Sequence, residues 1–300
     1  MAAHADSDRT RPSLSALVRA MRPRHWVKNV LVFAAPLASG RLFDLEVFVQ
    51  ASGAFVAFCL AASAVYLVND VRDVEEDRAH PTKRFRPIAA GELSATTALL
   101  AAMVIGVAAL IVAAVIELGL LLVIAAYLAL SVLYSVALKD EPIFDLAIVA
   151  AGFLLRAMSG GVAAGIPLSQ WFLLTAAFGS LFMVTGKRFS EVELVGEGNA
   201  DTRRSLDRYS LGYLRSVWTL AATVTVATYS LWAFEMTETF QRPVLAQLSI
   251  APFALGMLRH MATIDHGNAV DPVETVLRDR GLHVLGLIWL ALFVIGVTGV

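Results

Sequence analysis

The sequence predicts an all-α polytopic membrane protein with nine transmembrane helices. Three observations lead there: an excess of apolar residues, their collection into long uncharged runs, and basic residues confined to every second connection between those runs. Of the 300 residues 58% are hydrophobic and 16% charged, against roughly 45 to 50% and about 25% in an average soluble domain.

A bilayer span takes about 20 mostly apolar residues, and suitable runs begin near residues 26, 46, 95, 118, 142, 169, 212, 243 and 282. The first is the least regular. Trp26 suits an interface, but Lys28 and Asn29 lie inside the run and Pro36 interrupts it, so a tilted or broken element is expected. The second run ends in a dense acidic stretch, the fifth contains Arg156, and the sixth ends in a mixed-charge segment. Residues 1–25 are polar and Arg-rich without the apolar centre of a cleavable signal, and are expected to form a cytoplasmic tail with a surface helix. Residues 26–300 are expected to form one transmembrane catalytic domain.

Of the 24 Lys and Arg residues, all but Arg41, Arg156 and Arg242 fall in the N-terminal region and in alternate connections. Cytoplasmic loops retain such residues, so the N-terminus and the basic connections are placed inside, at the plasma membrane. A soluble protein with buried helices would have no reason to alternate in this way. The net charge of −1 gives no nucleic-acid footprint, and nucleic acid is not an expected partner. A lone Cys59 excludes an intrachain disulfide and a cysteine metal cluster. His25, His80 and His260 form no H-x-x-x-H pair that would suggest zinc. Membrane lipids are expected neighbours, and a homo-oligomer is compatible with the sequence.

The second run continues into Asn69-Asp70-Val71-Arg72-Asp73-Val74-Glu75-Glu76-Asp77, and a basic stretch with Lys83, Arg84 and Arg86 follows. On an unbroken helix Asn69, Asp70, Asp73 and Asp77 lie within an arc of about 100°. Clustered carboxylates repel one another unless a hard cation sits among them. Magnesium prefers one or two carboxylates together with substrate phosphates, so Asp70, Asp73, Asp77 and Asn69 are the expected Mg2+ ligands and the substrate is expected to be phosphorylated. Lys83, Arg84 and Arg86 can meet its remaining phosphate oxygens. A solvated loop capping a membrane helix is the plainer reading of the same charges.

Asn69, Asp70, Asp73 and Asp77 together resemble the first signature, N-D-x-x-D-x-x-x-D, of the UbiA superfamily of intramembrane prenyltransferases, and the nine-run pattern extends the likeness along most of the chain. The resemblance implies a UbiA-like helical bundle with a central cavity, roofed on the cytoplasmic side by the loops after the second and sixth helices. Ordinary members carry a second acidic cluster after the sixth helix. Here the sequence reads Thr185-Gly186-Lys187-Arg188-Phe189-Ser190-Glu191-Val192-Glu193, with cations where carboxylates are expected.

That departure, with RPRHWVKN at 22–29 and YSVALKDEPIFD at 134–145, is similar to the branch of the superfamily that phosphoribosylates decaprenyl phosphate. The resemblance implies transfer of 5-phosphoribose from phosphoribosyl pyrophosphate to a polyprenyl phosphate, in the supply of arabinose for the cell wall. The alternative is prenyl transfer from a prenyl diphosphate to an aromatic acceptor. In the first case the donor is expected to meet Asn69, Lys83, Arg84, Arg86, Tyr134, Lys139, Asp145, Lys187, Arg188 and Glu191, and the lipid phosphate Lys28 or Arg24. Lys139 is equally read as an orientation signal, and Arg156 either as a brace of the bundle or as a substrate contact. The segment from Gly196 to Tyr209 reads as a cover followed by a surface helix. A transporter is the competing class, whose sign would be ionisable residues at mid-membrane in several helices.

Overall fold

The computed structural model describes residues 14–139, 141–196, 208–265 and 278–299, and among them all regular structure is helical. Helical structure begins within three residues of each of the nine expected starts. The elements are α1 (Leu14–Ala20), a 3-10 segment (Pro23–Phe33), α2 (Ala34–Ala38), α3 (Leu45–Arg72), α4 (Val74–Ala79), α5 (Ala95–Ile116), α6 (Leu118–Leu133) and a π-helical turn (Tyr134–Leu138). They continue with α7 (Pro142–Ala163), α8 (Gln170–Gly196), α9 (Leu211–Glu235), α10 (Pro243–Leu248), α11 (Ile250–Asp265) and α12 (Arg280–Thr298).

Seven of these stretches are long and apolar enough to cross a membrane: α3, α5, α6 with the π turn, α7, α9 with the short turn after it, α10 with α11, and α12. The protein is therefore an integral membrane protein. The first expected run is broken, a 3-10 segment leading into the five-residue α2. The sixth, α8, is 27 residues long but carries the charges of its C-terminal third, and it is not among the seven.

Helix boundaries follow local chemistry. Ser94 and Ser210 accept from the backbone N–H of Thr97 and Tyr213, both at 3.1 Å, and so cap α5 and α9. Asp279 caps α12 by accepting from Gly281 and Leu282. Pro142 opens α7, where its missing N–H costs nothing. Gly299 closes α12 at φ +76, a left-handed conformation that glycine adopts without strain.

Lipid tails are as apolar as the helices, so close packing rather than water exclusion holds such a bundle together. Accordingly α3 meets α5 and α6 through small residues: Ala54, Ala57 and Ala61 face Ala109 and Ala113, with Phe58 and Tyr127 filling the layer between. The approach of α7 to the 3-10 segment is closer still. A Cβ added at Gly160 would lie 2.0 Å from the Val32 carbonyl oxygen, so only glycine permits this contact. On its other side α7 joins α8, α9 and α11 around Phe182, Phe189 and Trp218. The end of α2 packs with α12, with Ala38 and Val297 in one cluster beside Trp232 and Phe293, so the first and last segments meet.

Arg156 of α7 fixes the 3-10 segment from inside. It is buried, and donates to Asn29 Oδ1 at 2.8 Å, the Gly152 carbonyl at 2.6 Å and the Tyr127 hydroxyl at 2.9 Å. Its guanidinium lies over the Tyr127 ring, 4.7 Å from the centroid. Asn29 in turn donates to Cys59 Sγ of α3. Arg156 therefore ties α7, α6 and the 3-10 segment together, which is the bracing role. It has no carboxylate partner among the described residues.

Candidate active site

At one end of the bundle α3 stops at Arg72, Asp73 adopts a non-helical conformation (φ −91, ψ 14), and α4 restarts at Val74. The unbroken helix on which the four motif residues would share one face is not what forms. The break separates the carboxylates, and cations stand between them. Asp70 Oδ1 accepts from Arg22 and, at 3.3 Å, from Arg86, while Arg86 also reaches Asp77 Oδ2 at 2.7 Å. Asp73 pairs with Lys139 at 3.3 Å. Asn69 accepts from Ser135 Oγ at 2.6 Å. No three acids or imidazoles are gathered into a ready metal cage among the described residues.

Asp70 and Asp77 are both buried. Uncompensated, two such carboxylates would be costly, and the bridging Arg86 offsets much of that cost. Asp70 Oδ2 is buried and has no hydrogen-bond partner. A buried anionic oxygen left unpaired, beside a second buried carboxylate, suits an oxygen-seeking hard cation.

A second cluster gathers where α7 begins and α8 ends. Arg188 holds Asp145 with two bonds, Nε to Oδ2 at 2.7 Å and Nη2 to Oδ1 at 2.9 Å, and gives Nη1 to Glu191 at 2.6 Å. Asp145 is fully buried and also accepts from the Tyr134 hydroxyl at 2.7 Å. The Tyr209 hydroxyl sits against the Pro142 carbonyl and 3.3 Å from Asp145 Oδ2. Burial, with the Asp145 carboxylate beside it, raises the Tyr209 phenol well above its usual range, so it remains a donor. Lys187 is more open and pairs with Glu191 at 3.6 Å.

The two clusters are joined by the π turn, a local widening often found at functional sites. Its first two residues diverge: Tyr134 bonds Asp145 and Ser135 bonds Asn69. Arg72 holds the turn by donating to the Val136 carbonyl at 3.2 Å.

The structure thus brings together Asp70, Asp77 and Arg86, pairs Asp73 with Lys139 and Asn69 with Ser135, and groups Tyr134, Asp145, Arg188, Glu191 and Lys187. Lys83 and Arg84 are exposed, Arg84 lying over the Phe85 ring. Arg24 is exposed and Lys28 half-buried on the 3-10 segment. Asp140 and the segment 197–207, which holds most of the expected cover, lie outside the described residues. Sequence reasoning missed Arg22, Ser135 and Tyr209. Arg22 has φ +55, a left-handed conformation uncommon for a residue other than glycine and further disfavoured before a proline. The only sequence signal for it was its place at the head of the RPRHWVKN segment.

A model of the UbiA prenyltransferase family matches residues 30–275. A decaprenyl-phosphate phosphoribosyltransferase from Mycolicibacterium smegmatis is 49% identical over 288 residues, covering 92% of this chain and 91% of its own. Proteins of the same name from Mycobacterium tuberculosis, 50% identical with 93% of each chain covered, and Corynebacterium glutamicum, 48% identical with 94% and 86% covered, are also similar. Among solved structures, a UbiA homologue from Archaeoglobus fulgidus bound to GPP and Mg2+ superposes with a TM-score of 0.67, covering 93% of this chain and 96% of its own, at 18% identity. The bundle, the motif at its end and the match over most of the sequence agree: the chain belongs to the UbiA prenyltransferase family.

Proposed function

We propose that the protein transfers the 5-phosphoribosyl group of phosphoribosyl pyrophosphate to decaprenyl phosphate, releasing pyrophosphate. The observation that carries this reading is identity of about half, over more than nine-tenths of this chain, with three proteins named for that activity. The site suits it. Of the two cations in the second half, Arg188 is committed to Asp145 and Glu191, and the more open Lys187 is the one that can meet a phosphate besides the diphosphate.

In the reaction an oxygen of the lipid phosphate forms a bond to the anomeric carbon, and the bond from that carbon to pyrophosphate breaks with its electron pair leaving on pyrophosphate. The attacking phosphate is already ionised at neutral pH, so no residue need serve as general base. Asp70 and Asp77, with Asp73 and Asn69, would hold magnesium, and the buried unpaired oxygen of Asp70 is the feature that fits it. When bound, the ion supplies Lewis-acid neutralisation of charge on the departing pyrophosphate. Arg86 and Arg22, which now cross-link the carboxylates, would turn donors toward phosphate oxygens, with Lys83 and Arg84 at the rim. Asp145, buried and held by Arg188 and Tyr134, would keep this half of the site in place rather than meet ribose itself, and Lys187 and Glu191 beside it are the groups open to the donor. Two cation pairs are candidates for the lipid phosphate, Arg24 with Lys28 on the 3-10 segment and Arg72 with Lys139 beside the π turn.

The C-terminal ends of α3, α6 with its π turn, and α8 lie together at the site, and the connections that follow them in the sequence belong to the basic set that the charge asymmetry assigns to the cytoplasm. We therefore propose that all nine segments cross the plasma membrane with the site on the cytoplasmic side, where a soluble phosphorylated donor is available. The product would serve arabinan synthesis for the cell wall.

Purified protein in lipid nanodiscs with Mg2+ should release pyrophosphate when given phosphoribosyl pyrophosphate and decaprenyl phosphate. Release only from a prenyl diphosphate with an aromatic acceptor would refute the assignment in favour of the family's prenyl-transfer chemistry.

A further inference from the structure

Between α3, α5 and α6 lies a cleft of about 350 Å³, within the roughly 300–1,000 Å³ of small-molecule sites. Small residues create it: Ala64 on α3 faces Ala102 and Gly106 on α5, and a Cβ at Gly106 would come no nearer than 3.7 Å to Ala64. Its outer wall faces the lipid, with Leu99, Met103 and Val107 being 46, 60 and 50% exposed. Apart from Asn69, Ser131 and Ser135 the lining is apolar.

Asn69 and Ser135 are hydrogen-bonded to each other and mark one end of the cleft. That end opens on the site described above. Asp70 follows Asn69 directly, and Lys139 lies one turn beyond Ser135, paired with Asp73. Arg72, three residues after Asn69, is exposed and anchored to the π turn. From Leu99 to Leu110, both lining residues, α5 rises about 16 Å. The cleft is therefore an apolar slot, open sideways to lipid, whose polar end at Asn69 and Ser135 lies about one helical turn along the chain from Arg72 and Lys139.

We propose that this cleft seats the first part of the isoprenoid tail of the lipid acceptor, with its phosphate at Arg72 and Lys139. The chemistry of the slot is that of an amphiphile with a long hydrocarbon tail and an anionic head, and its polar end is continuous with the site where that head must react. The 3-10 segment with Arg24 and Lys28 packs on a different face of α3, through Ser63, Cys59 and Asp70. A tail held in the cleft therefore delivers its phosphate to Arg72 and Lys139 rather than to Arg24 and Lys28. The inference rests on the reading that the acceptor is a polyprenyl phosphate.

The test uses full-length protein in nanodiscs with decaprenyl phosphate and with geranyl phosphate, whose tail is too short to pass the near end of the slot. Because α5 starts beside the site, Leu99 lies at the near end and Val107 deeper. Val107→Trp should raise KM for decaprenyl phosphate about tenfold and leave KM for geranyl phosphate and for phosphoribosyl pyrophosphate unchanged, whereas Leu99→Trp should raise KM for both acceptors. A benzophenone amino acid at Val107 should cross-link decaprenyl phosphate and be protected by excess unlabelled acceptor; this also serves if Val107→Trp does not accumulate. Equal effects of Val107→Trp on both acceptors, or cross-links to bilayer phospholipid alone, would overturn the placement. Wild-type protein that phosphoribosylates neither acceptor would overturn the functional reading itself, and the placement with it.

Discussion

Replacing Asp145 by leucine removes the acceptor on which a buried guanidinium is built. The Arg188 side chain is 8% exposed and that of Asp145 is wholly buried, so neither charge has water to fall back on. Without Asp145, Arg188 keeps Glu191 alone among its carboxylate partners in the described residues, and Tyr134 loses its bond to this carboxylate. Breaking a buried ion pair by removing one partner costs about 3–5 kcal/mol, or roughly two to three and a half powers of ten in the folding equilibrium. Replacing both charges with apolar groups of similar volume often costs nothing, so Asp145→Leu with Arg188→Met should recover most of the loss. The assay is reversible unfolding in mixed micelles followed by tryptophan fluorescence, with both single variants and the double variant forming a thermodynamic cycle. Losses that simply add, with no recovery in the double variant, would refute the claim that the two side chains act as one buried unit.

Three further outcomes follow from the geometry. Gly160→Ala places a methyl against the Val32 carbonyl and should cost about 1–3 kcal/mol as α7 and the 3-10 segment separate; an unchanged melting temperature contradicts the close approach. Arg156→Met leaves Asn29 Oδ1 and the Tyr127 hydroxyl without their donor, at about 1–3 kcal/mol for each group, and the same unfolding assay reads the sum. Asp77→Asn should lower phosphoribosyl transfer about 10²- to 10³-fold, the scale of losing one electrostatic contributor at a reacting centre, and should shift the Mg2+ concentration for half-maximal rate upward. An unshifted Mg2+ titration would remove Asp77 from the proposed metal ligands.

Helix positions were legible because hydropathy alone sets them. Runs near residues 95, 118, 142 and 243 match the first residues of α5, α6, α7 and α10, where Ser94, Glu117, Pro142 and Pro243 mark sharp local boundaries. The irregularity of the first run was also visible in Lys28, Asn29 and Pro36, but its 3-10 geometry depends on α7, through Gly160 and Arg156 more than a hundred residues away. Site membership was readable from residue type, and site geometry was not. The acidic motif suggests a single helical face, yet the helix stops before Asp73, and Arg86, Arg22 and Lys139 reach the carboxylates from three other segments. The sequence offers Arg188 as a contact for the donor. The two carboxylates that claim it come from α7 and from the next turn of its own helix, and only the first of these needs the fold to be known.

Tyr134 and Ser135 are neighbours in the chain, yet one is bonded to the basic half of the site and the other to the acidic half. The spacing between the halves is thus measured off by a single peptide unit and does not accumulate the looseness of several helix contacts in series. Two substrates arriving from different phases, one from water and one from lipid, would be gauged against the same short rule. An insertion or deletion of one residue in this turn would put the two halves out of step even if every helix around them stayed where it is.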